Sequence, residues 1–211
     1  MLSTNHVLRF LGVAVLCLVS EGALTAGLVD FDSIAATCCY DLDNPGPRGP
    51  VLTIGILTLD GGVVMNNSGW LDKATSAPNL YGSADTVHIS GYGYLPGSIT
   101  GTFSIPVFSL TMDVINGEVP GTFTLTAYNG ADVVDSEMVD LAYYSDPGSS
   151  ATLSVSGLIT SFTVTSTQEV GRRNIAIDTI SFEESSVPEP SSILLMSAAL
   201  AFIPALRRVR K

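Results

Sequence analysis

Short alternating runs of apolar and hydroxyl residues, separated by turn dipeptides, fill residues 27–186. The clearest run is Thr122-Phe123-Thr124-Leu125-Thr126-Ala127-Tyr128, which puts Phe123, Leu125 and Ala127 on one face of an extended strand. Such alternation predicts antiparallel strands with one buried face and one wet face. Between the two ends of the chain, no stretch has the period of a long amphipathic helix.

The predicted strands cover residues 28–33, 51–59, 63–65, 86–91, 98–104, 108–114, 121–128, 133–141, 151–156, 161–166 and 175–183. Hairpin turns are expected at Asp60-Gly61, Asn116-Gly117 and Asn129-Gly130, because these dipeptides accept the positive φ of tight turns. A single open sheet of this size would leave one apolar face exposed. The sequence therefore predicts an all-β domain at residues 27–186, an antiparallel two-sheet β-sandwich of jelly-roll type.

The first 26 residues have the three parts of a secretory signal peptide. A polar start with Arg9 precedes an apolar run at residues 10–19, and small residues follow at Ala23 and Ala26. We expect cleavage after Ala26. An N-terminal membrane anchor is the alternative, but the apolar run is well short of the about 20 residues that span a bilayer.

The charge of the chain argues against nucleic-acid binding. Between residues 27 and 190, 19 acidic residues stand against four basic ones. Phosphate contacts need clustered Lys and Arg, and no such cluster is found there. The acidity fits an extracellular surface or a source of cation ligands.

The C-terminal segment, residues 187–211, joins a stiff linker, an apolar stretch and a basic end. Pro188, Glu189 and Pro190 form the linker, in which each proline fixes φ and removes a backbone donor. A short transmembrane helix is predicted at residues 191–206. Basic residues stay on the cytoplasmic side of a membrane, so the basic end would leave the acidic domain outside. That end consists of Arg207, Arg208, Arg210 and Lys211.

This tail closely resembles the PEP-CTERM sorting signal of Gram-negative bacteria that make extracellular polysaccharide. The resemblance covers residues 187–211 and implies that Pro188-Glu189-Pro190 is recognised by an exosortase, an integral-membrane cysteine protease that processes the tail. Signal peptidase would remove residues 1–26. The protein would then be exported, held briefly in the membrane and released to the cell surface or beyond. A plain tail-anchored protein is the alternative. Residues 121–130 and 175–182 also resemble β-sandwich domains of PEP-CTERM proteins.

Three acidic residues at the ends of the domain are candidate calcium ligands. Asp30 and Asp32 lie at its start, and Asp178 shares a strand face with Ile180 and Phe182, where a charge needs a partner. The arrangement resembles jelly-roll carbohydrate-binding modules, whose first and last strands are neighbours and whose acids and carbonyls there hold a structural Ca²⁺. The alternative is that Asp178 accepts backbone hydrogen bonds while Asp30 and Asp32 are exposed.

The sequence contains no recognisable catalytic constellation. After export the chain would keep one histidine, His88, in a strand-like run, and no Gly-x-Ser-x-Gly elbow accompanies it. The adjacent Cys38 and Cys39 supply neither a disulfide framework nor enough ligands for a structural zinc site.

Acidic pairs are interpreted as solvated charges of a loop or an edge strand that oppose aggregation. They are Asp132 with Asp135 and Glu137 with Asp140.

Aromatic rings in turn-rich segments are candidate stacking platforms for sugars. Trp70, Tyr92 and Tyr94 are the first choice, because Tyr92 and Tyr94 would face the same side of an extended segment. The other rings considered are Tyr81, Tyr143 and Tyr144. Tyrosines are also ordinary strand residues, which is the alternative.

These features predict a non-enzymatic surface or extracellular-matrix protein, structural or adhesive in an exopolysaccharide or biofilm layer. A carbohydrate-binding module with a defined glycan ligand is the alternative. A glycan-active enzyme is less supported, since it needs two carboxylates about 5–10 Å apart in a cleft.

Overall fold

The structure, a computed structural model, describes residues 26–38, 51–66, 75–83, 98–117, 119–144, 146–168 and 175–184, all within one compact unit, Thr25–Ser185. These ranges contain strands and turns and no helix. The strands are β1 Ala26–Val29, β2 Thr37–Cys38, β3 Leu52–Ile54, β4 Leu57–Asp60, β5 Gly62–Asn66, β6 Asn79–Ser83, β7 Ser98–Asn116, β8 Gly121–Asn129, β9 Asp132–Leu141, β10 Ser150–Ser166 and β11 Ile175–Glu184.

The eleven described strands form one hydrogen-bonded sheet. Its order is β2-β5-β6-β11-β7-β10-β8-β9, with β1 paired to β11 and the β3–β4 hairpin paired to β7. The β2–β5 pair is parallel, and the other pairs are antiparallel. Strands β7 and β10 pair with each other along most of their length but change their outer neighbours half-way.

Both long strands are irregular where the sheet folds over. Pro106 lacks a ladder donor in β7, and β10 has register shifts between Ser156 and Ser161, around Gly157 at φ 123°. The Thr160 hydroxyl donates to the Tyr128 carbonyl at 3.2 Å and accepts from Gly130 N at 2.9 Å. These contacts fix the tip of the β8–β9 hairpin to the bend in β10.

The folded sheet gives two layers. The first layer contains β3, β4, β8 and β9 with the first part of β7 and the last part of β10. The second layer contains β1, β2, β5, β6 and β11 with the last part of β7 and the first part of β10. One hydrophobic core joins them, since Phe103 of the first layer lies 5.2 Å, centroid to centroid, from Phe182 of the second.

A smaller apolar cluster lies on the other face of the second layer. Ile115 and Ala176 belong to it, whereas their strand neighbours Val114 and Ile177 belong to the main core. Successive residues of a strand point to opposite faces, which explains the division. Tyr144 packs against this second cluster.

The structure confirms an all-β, mainly antiparallel, sandwich-like fold and corrects its connectivity. The segments predicted as separate strands at residues 98–104 and 108–114 are one strand, β7, and those at 151–156 and 161–166 are one strand, β10. The two layers therefore share strands and do not form two separate sheets.

Two of the three predicted hairpins are wrong. The strands on either side of Asp60-Gly61 pair with other neighbours, and so do β7 and β8, which flank Asn116-Gly117. The fully buried Asn116 amide instead donates to the carbonyls of Ala142 and Val119, at 2.6 and 2.8 Å. Asn129-Gly130 does connect the β8–β9 hairpin.

Among the described residues, no helix is long and apolar enough to cross a membrane. The predicted membrane segment at residues 191–206 lies outside the described ranges, and so does the predicted strand at 86–91. Of the predicted signal peptide, Ala26 alone is described; it is the first residue of β1, opposite Glu183.

Candidate functional site

The first and last described strands are neighbours, as the resemblance to jelly-roll carbohydrate-binding modules implied. In the antiparallel β1–β11 pair, Gly27 stands opposite Phe182 and Val29 opposite Ile180. This pairing brings Asp30 and Asp32, just after β1, close to Asp178 of β11. Ser76, just before β6, and Asn79, the first residue of β6, join them. We call these five residues the aspartate cluster.

Asp178 is fully buried and accepts three hydrogen bonds. Its Oδ2 accepts from Ser76 N at 2.8 Å, and its Oδ1 accepts from the Ser76 hydroxyl at 2.9 Å and from Thr179 N at 2.8 Å. Burial raises the pKa of the Asp178 carboxyl, while the donors of Ser76 and Thr179 act in the opposite direction and the charge of Asp32 adds to the rise. The carboxylate therefore serves as a buried acceptor for main-chain N–H groups.

Asn79 organises the loop after β1. Its backbone N donates to Asp32 Oδ1 at 3.0 Å, and its side-chain amide donates to the carbonyls of Phe31 and Ile34 at 3.2 and 2.9 Å. Asp32 N in turn donates to Asp30 Oδ1 at 3.2 Å. Asp30 and Asp32 are half-buried parts of this network, not free surface charges.

Two residues beside the cluster have backbone conformations that L-residues rarely adopt. Phe31 has φ 63° and Thr179 has φ 46°, and Thr179 is β-branched. Such conformations persist where the surrounding contacts determine them. Here the Phe31 ring is fully buried and stacks on Tyr81 at 5.7 Å, and Thr179 N bonds Asp178.

The oxygens of the three aspartates face backbone donors. In the described part of the chain, no three Asp, Glu, His or Cys side chains are grouped so that they could hold a metal ion. The carboxylates of Asp30, Asp32 and Asp178 therefore do not form a cation cage by themselves. The calcium site stays a prediction.

The other predicted site residues are placed as follows. Those outside the described residues are Trp70, Tyr92, Tyr94, His88, Cys39, the sorting motif Pro188, Glu189 and Pro190, and the basic residues Arg207, Arg208, Arg210 and Lys211. Cys38 is the last residue of β2. Tyr81 is buried in the core, so the prediction that its ring is an exposed stacking platform is wrong.

Tyr143 is the exposed ring among the described candidates. It is 40% exposed and lies 4.8 Å, centroid to centroid, from Tyr144. Tyr144 is half-buried against the second apolar cluster, so it supports the Tyr143 ring from one side.

Hydroxyl side chains cover the outward face of the first layer. Two rows cross its strands, and in each row every residue stands opposite the next. The inward residues of the same strands, such as Ile99, Phe162 and Leu125, are fully buried, which fixes the outward direction of the hydroxyls. We call this the hydroxyl face: Thr53, Thr58, Thr102, Ser161 and Tyr128 in one row, Thr100, Thr163, Thr126 and Ser136 in the other.

The nine residues of the hydroxyl face carry no charge, although the chain has a net charge of −11. One acid borders the face, since Asp60 stands opposite Thr100 at the end of the second row. Neighbouring hydroxyls bond to each other at Thr53–Thr58, 3.2 Å, and at Thr126–Ser136, 3.3 Å. Strands lie about 4.8 Å apart, so each row repeats donors and acceptors at a regular spacing. Such a surface can exchange hydrogen bonds with hydroxyl groups at many points.

The chain matches no known family model and no curated protein. Three solved structures are similar at low identity. The K2 cleaved adhesin domain of Lys-gingipain shares 13% identity over 75% of this chain and 99% of that domain, with a TM-score of 0.45. The low-affinity xylan-binding module CBM86 of Roseburia intestinalis shares 17% over 65% and 96%, with a TM-score of 0.34.

The third structure is TmCBM61 in complex with β-1,4-galactotriose. It shares 9% identity over 69% of this chain and 93% of that module, with a TM-score of 0.31. None of the three carries a residue role over to this chain.

Proposed function

We propose that this chain is a non-enzymatic surface or extracellular-matrix protein that adheres to neutral polysaccharide. The observation that carries the proposal is the uncharged hydroxyl face on a strongly acidic protein. Sugar hydroxyls donate and accept hydrogen bonds in the same way as Thr and Ser. An acidic polymer would be repelled by the carboxylates of the domain, whereas a neutral one would not.

Adhesion of this kind is weak at each contact and strong in sum. A hydrogen bond that replaces one to water contributes about 0.5–1.5 kcal/mol. A long polysaccharide can contact the two rows of the hydroxyl face at many points, and many protein copies can bind one polymer. The overall binding is then strong although each single contact is weak. This suits a structural or adhesive role in an exopolysaccharide or biofilm layer.

The route to the surface is proposed from the ends of the chain. Signal peptidase would remove residues 1–26, which shortens β1 to Gly27 onward and keeps its pairs with β11. The membrane helix at residues 191–206, oriented by the basic end, would hold the jelly-roll-like domain outside until an exosortase processes the tail. The support is the order of motif, apolar stretch and basic residues in the sequence.

Substitution of Pro188, Glu189 and Pro190 by alanine tests this route. We expect unprocessed protein to accumulate in the membrane, because the processing enzyme would lose its motif while the apolar segment remains. Mass spectrometry of the membrane and surface fractions measures this. The control is Ser191→Ala with Ser192→Ala, next to the motif. Unchanged mature mass and location in the triple variant would show that the sorting proposal is wrong.

A carbohydrate-binding module with a defined glycan ligand is the second candidate. The exposed Tyr143 ring, supported by Tyr144, favours it, because an aromatic face can stack on a sugar ring. In this case binding would depend on one ring and would select a single glycan.

A further inference from the structure

The first part of β10 has a backbone edge that faces away from β7. Ser154 and Ser156 stand opposite Thr111 and Ser109 of β7. Alternate residues of an antiparallel strand bond to opposite neighbours, and the N–H groups of Ser154 and Ser156 point to the outer side. No described strand pairs with these N–H groups; two carboxylates of β9 accept hydrogen bonds from them.

The contacts are direct. Asp135 Oδ2 accepts from Ser156 N at 2.8 Å, and its Oδ1 accepts from Ser136 N at 2.8 Å. Glu137 Oε2 accepts from Ser154 N. Strand β9 is the last described strand of the first layer and β10 here borders the second layer, so these bonds connect the two layers along one side of the sandwich.

The direction of the two acids on β9 allows these contacts. Asp135 stands opposite Ala127 and Glu137 opposite Leu125, and both partners are fully buried in the core. The two carboxylates therefore start on the inner side of an edge strand, although Glu137 itself is exposed and Asp135 is half-buried. From there they reach the N–H groups of Ser154 and Ser156.

No cation competes for these acids within the described residues, since none of them is Lys, Arg or His. Strand β10 has no titratable side chain, β8 has only Tyr128, which points outward, and β9 itself adds Asp132 and Asp140. The N–H groups of Ser156 and Ser136 lower the pKa of Asp135 below its ordinary value.

We propose that Asp135 and Glu137 form a latch that closes the β10 edge to strand pairing, and that acidification opens this latch so that a second copy of the chain adds to the edge. Protonation removes the negative charge that strengthens the hydrogen bonds from Ser154 N and Ser156 N. These N–H groups are the groups that an added strand would bond.

The surroundings of the latch point to a second copy as the partner. Val133 and Met138 of β9 are 60% and 67% exposed, and Leu158 of β10 is 40% exposed, so both strands of the latch expose apolar side chains. At neutral pH the four acids of β9 repel the same strand of another copy. Loss of the carboxylate charge weakens both this repulsion and the hydrogen bonds of the latch, and the apolar side chains then favour association.

The sign of the pH effect follows from Asp135. Folding lowers the pKa of the Asp135 carboxyl. The carboxylate therefore stabilises the closed latch fully at pH values above the ordinary pKa of about 3.9. This stabilisation is lost as the pH falls through the lower pKa of the folded chain. The latch is therefore closed at neutral pH and opens under acidic conditions.

The test uses the full chain in detergent micelles, where the tail contributes equally to every variant. In Asp135→Ala with Glu137→Ala at pH 7, we expect hydrogen-exchange protection of the Ser154 and Ser156 amides to fall about tenfold, because charge-assisted bonds are lost. In 1 M NaCl, which shortens the Debye length to about 3 Å, this variant should self-associate in sedimentation while the wild-type chain does not.

Asp132→Ala is the matched control, since it removes a charge of β9 outside the two latch contacts. Wild-type protection in the double variant, or a double variant that stays monomeric in 1 M NaCl, would overturn the proposal. Should the double variant not fold, the single variants give the same comparison at one amide each, Asp135→Ala at Ser156 and Glu137→Ala at Ser154.

Discussion

Several carboxylates in the described residues accept from N–H and hydroxyl donors, and none of these residues is basic. Asp178 holds Ser76 and Thr179, Asp32 holds Asn79, and Asp135 holds Ser156. The environments of the acids differ, however. Burial raises the pKa of Asp178, whereas donors at an exposed edge lower the pKa of Asp135. The two acids therefore oppose each other in the pH dependence of stability.

Asp178→Asn should lower the free energy of unfolding by about 1–3 kcal/mol, because the amide NH₂ cannot accept from a buried N–H such as that of Ser76. The pH dependence of the free energy of unfolding should also change. The raised pKa means that the folded wild-type chain binds a proton more readily than the unfolded chain, so Asp178 lowers stability as the pH rises above about 4. The variant should lack this loss.

Urea unfolding at several pH values measures both effects, with the exposed Asp132→Asn as the control. A variant with the stability and pH slope of the wild type would contradict the assignment of Asp178 as a buried acceptor. The same series with calcium or EDTA tests the calcium prediction. If calcium raises the stability of the wild type but not that of Asp178→Asn, the cluster binds calcium.

At the scale of elements, the sequence predicts best those strands whose two faces differ. Residues 121–128 alternate strictly and form β8, and Asn129-Gly130 gives the following hairpin. Strand β6, Asn79–Ser83, was missed because it is buried on both faces and contains Gly82, so no alternation marks it. Pro106 separated two predicted strands that are in fact continuous.

The sequence placed the four acids of residues 132–140 in a loop or on an edge strand, and the structure puts them on β9, at the end of the described strand order. It could not show the Ser154 and Ser156 N–H groups beside them, because that contact depends on how the two layers fold over each other. The aspartate cluster shows the same limit. Asp30, Asp32 and Asp178 were identified from sequence, but Ser76 and Asn79, about 100 and 50 positions away, carry no local signal.

Gly157→Ala should destabilise the bend in β10. Gly157 has φ 123°, a conformation that L-residues rarely adopt, so an added Cβ strains the backbone by about 1–3 kcal/mol. Space is not the cause, since the nearest atom, Val134 Cβ, lies 3.5 Å from the position of the new Cβ.

Chemical denaturation compares this variant with Thr165→Ala, an exposed position of the same strand. Equal stability of the two variants would show that the bend does not depend on the glycine.

At the scale of the whole molecule, the nine residues of the hydroxyl face are separated from most of the acids. The described acids lie in the aspartate cluster, along β9, at Asp113 of β7 and at strand ends or turns, and Asp60 borders the face opposite Thr100. The composition predicted an acidic extracellular surface, but the register of the strands was needed to align the hydroxyls into rows. This segregation is what the proposed adhesion uses.

Thr163→Glu, in the middle of the hydroxyl face, should abolish binding to a neutral soluble polysaccharide such as hydroxyethyl cellulose. A carboxylate there would lose its water without gaining a partner. Native gel electrophoresis with and without the polysaccharide measures the retardation of the full chain in detergent.

Thr111→Glu, on the outward face of the second layer, adds the same charge and should be retarded like the wild type. Retardation of Thr163→Glu equal to that of the wild type would contradict adhesion through this face. Loss of retardation in Tyr143→Ala alone would support the carbohydrate-binding module.

The two long strands also decide how this domain comes apart. Because β7 and β10 each run through both layers, neither layer can detach while the other remains folded; the layers are joined by covalent backbone as well as by the core. Melting of one layer removes the pairing partners of the other, so both lose their order in the same step. A domain built this way resists partial unfolding, and with it the exposure of isolated strands.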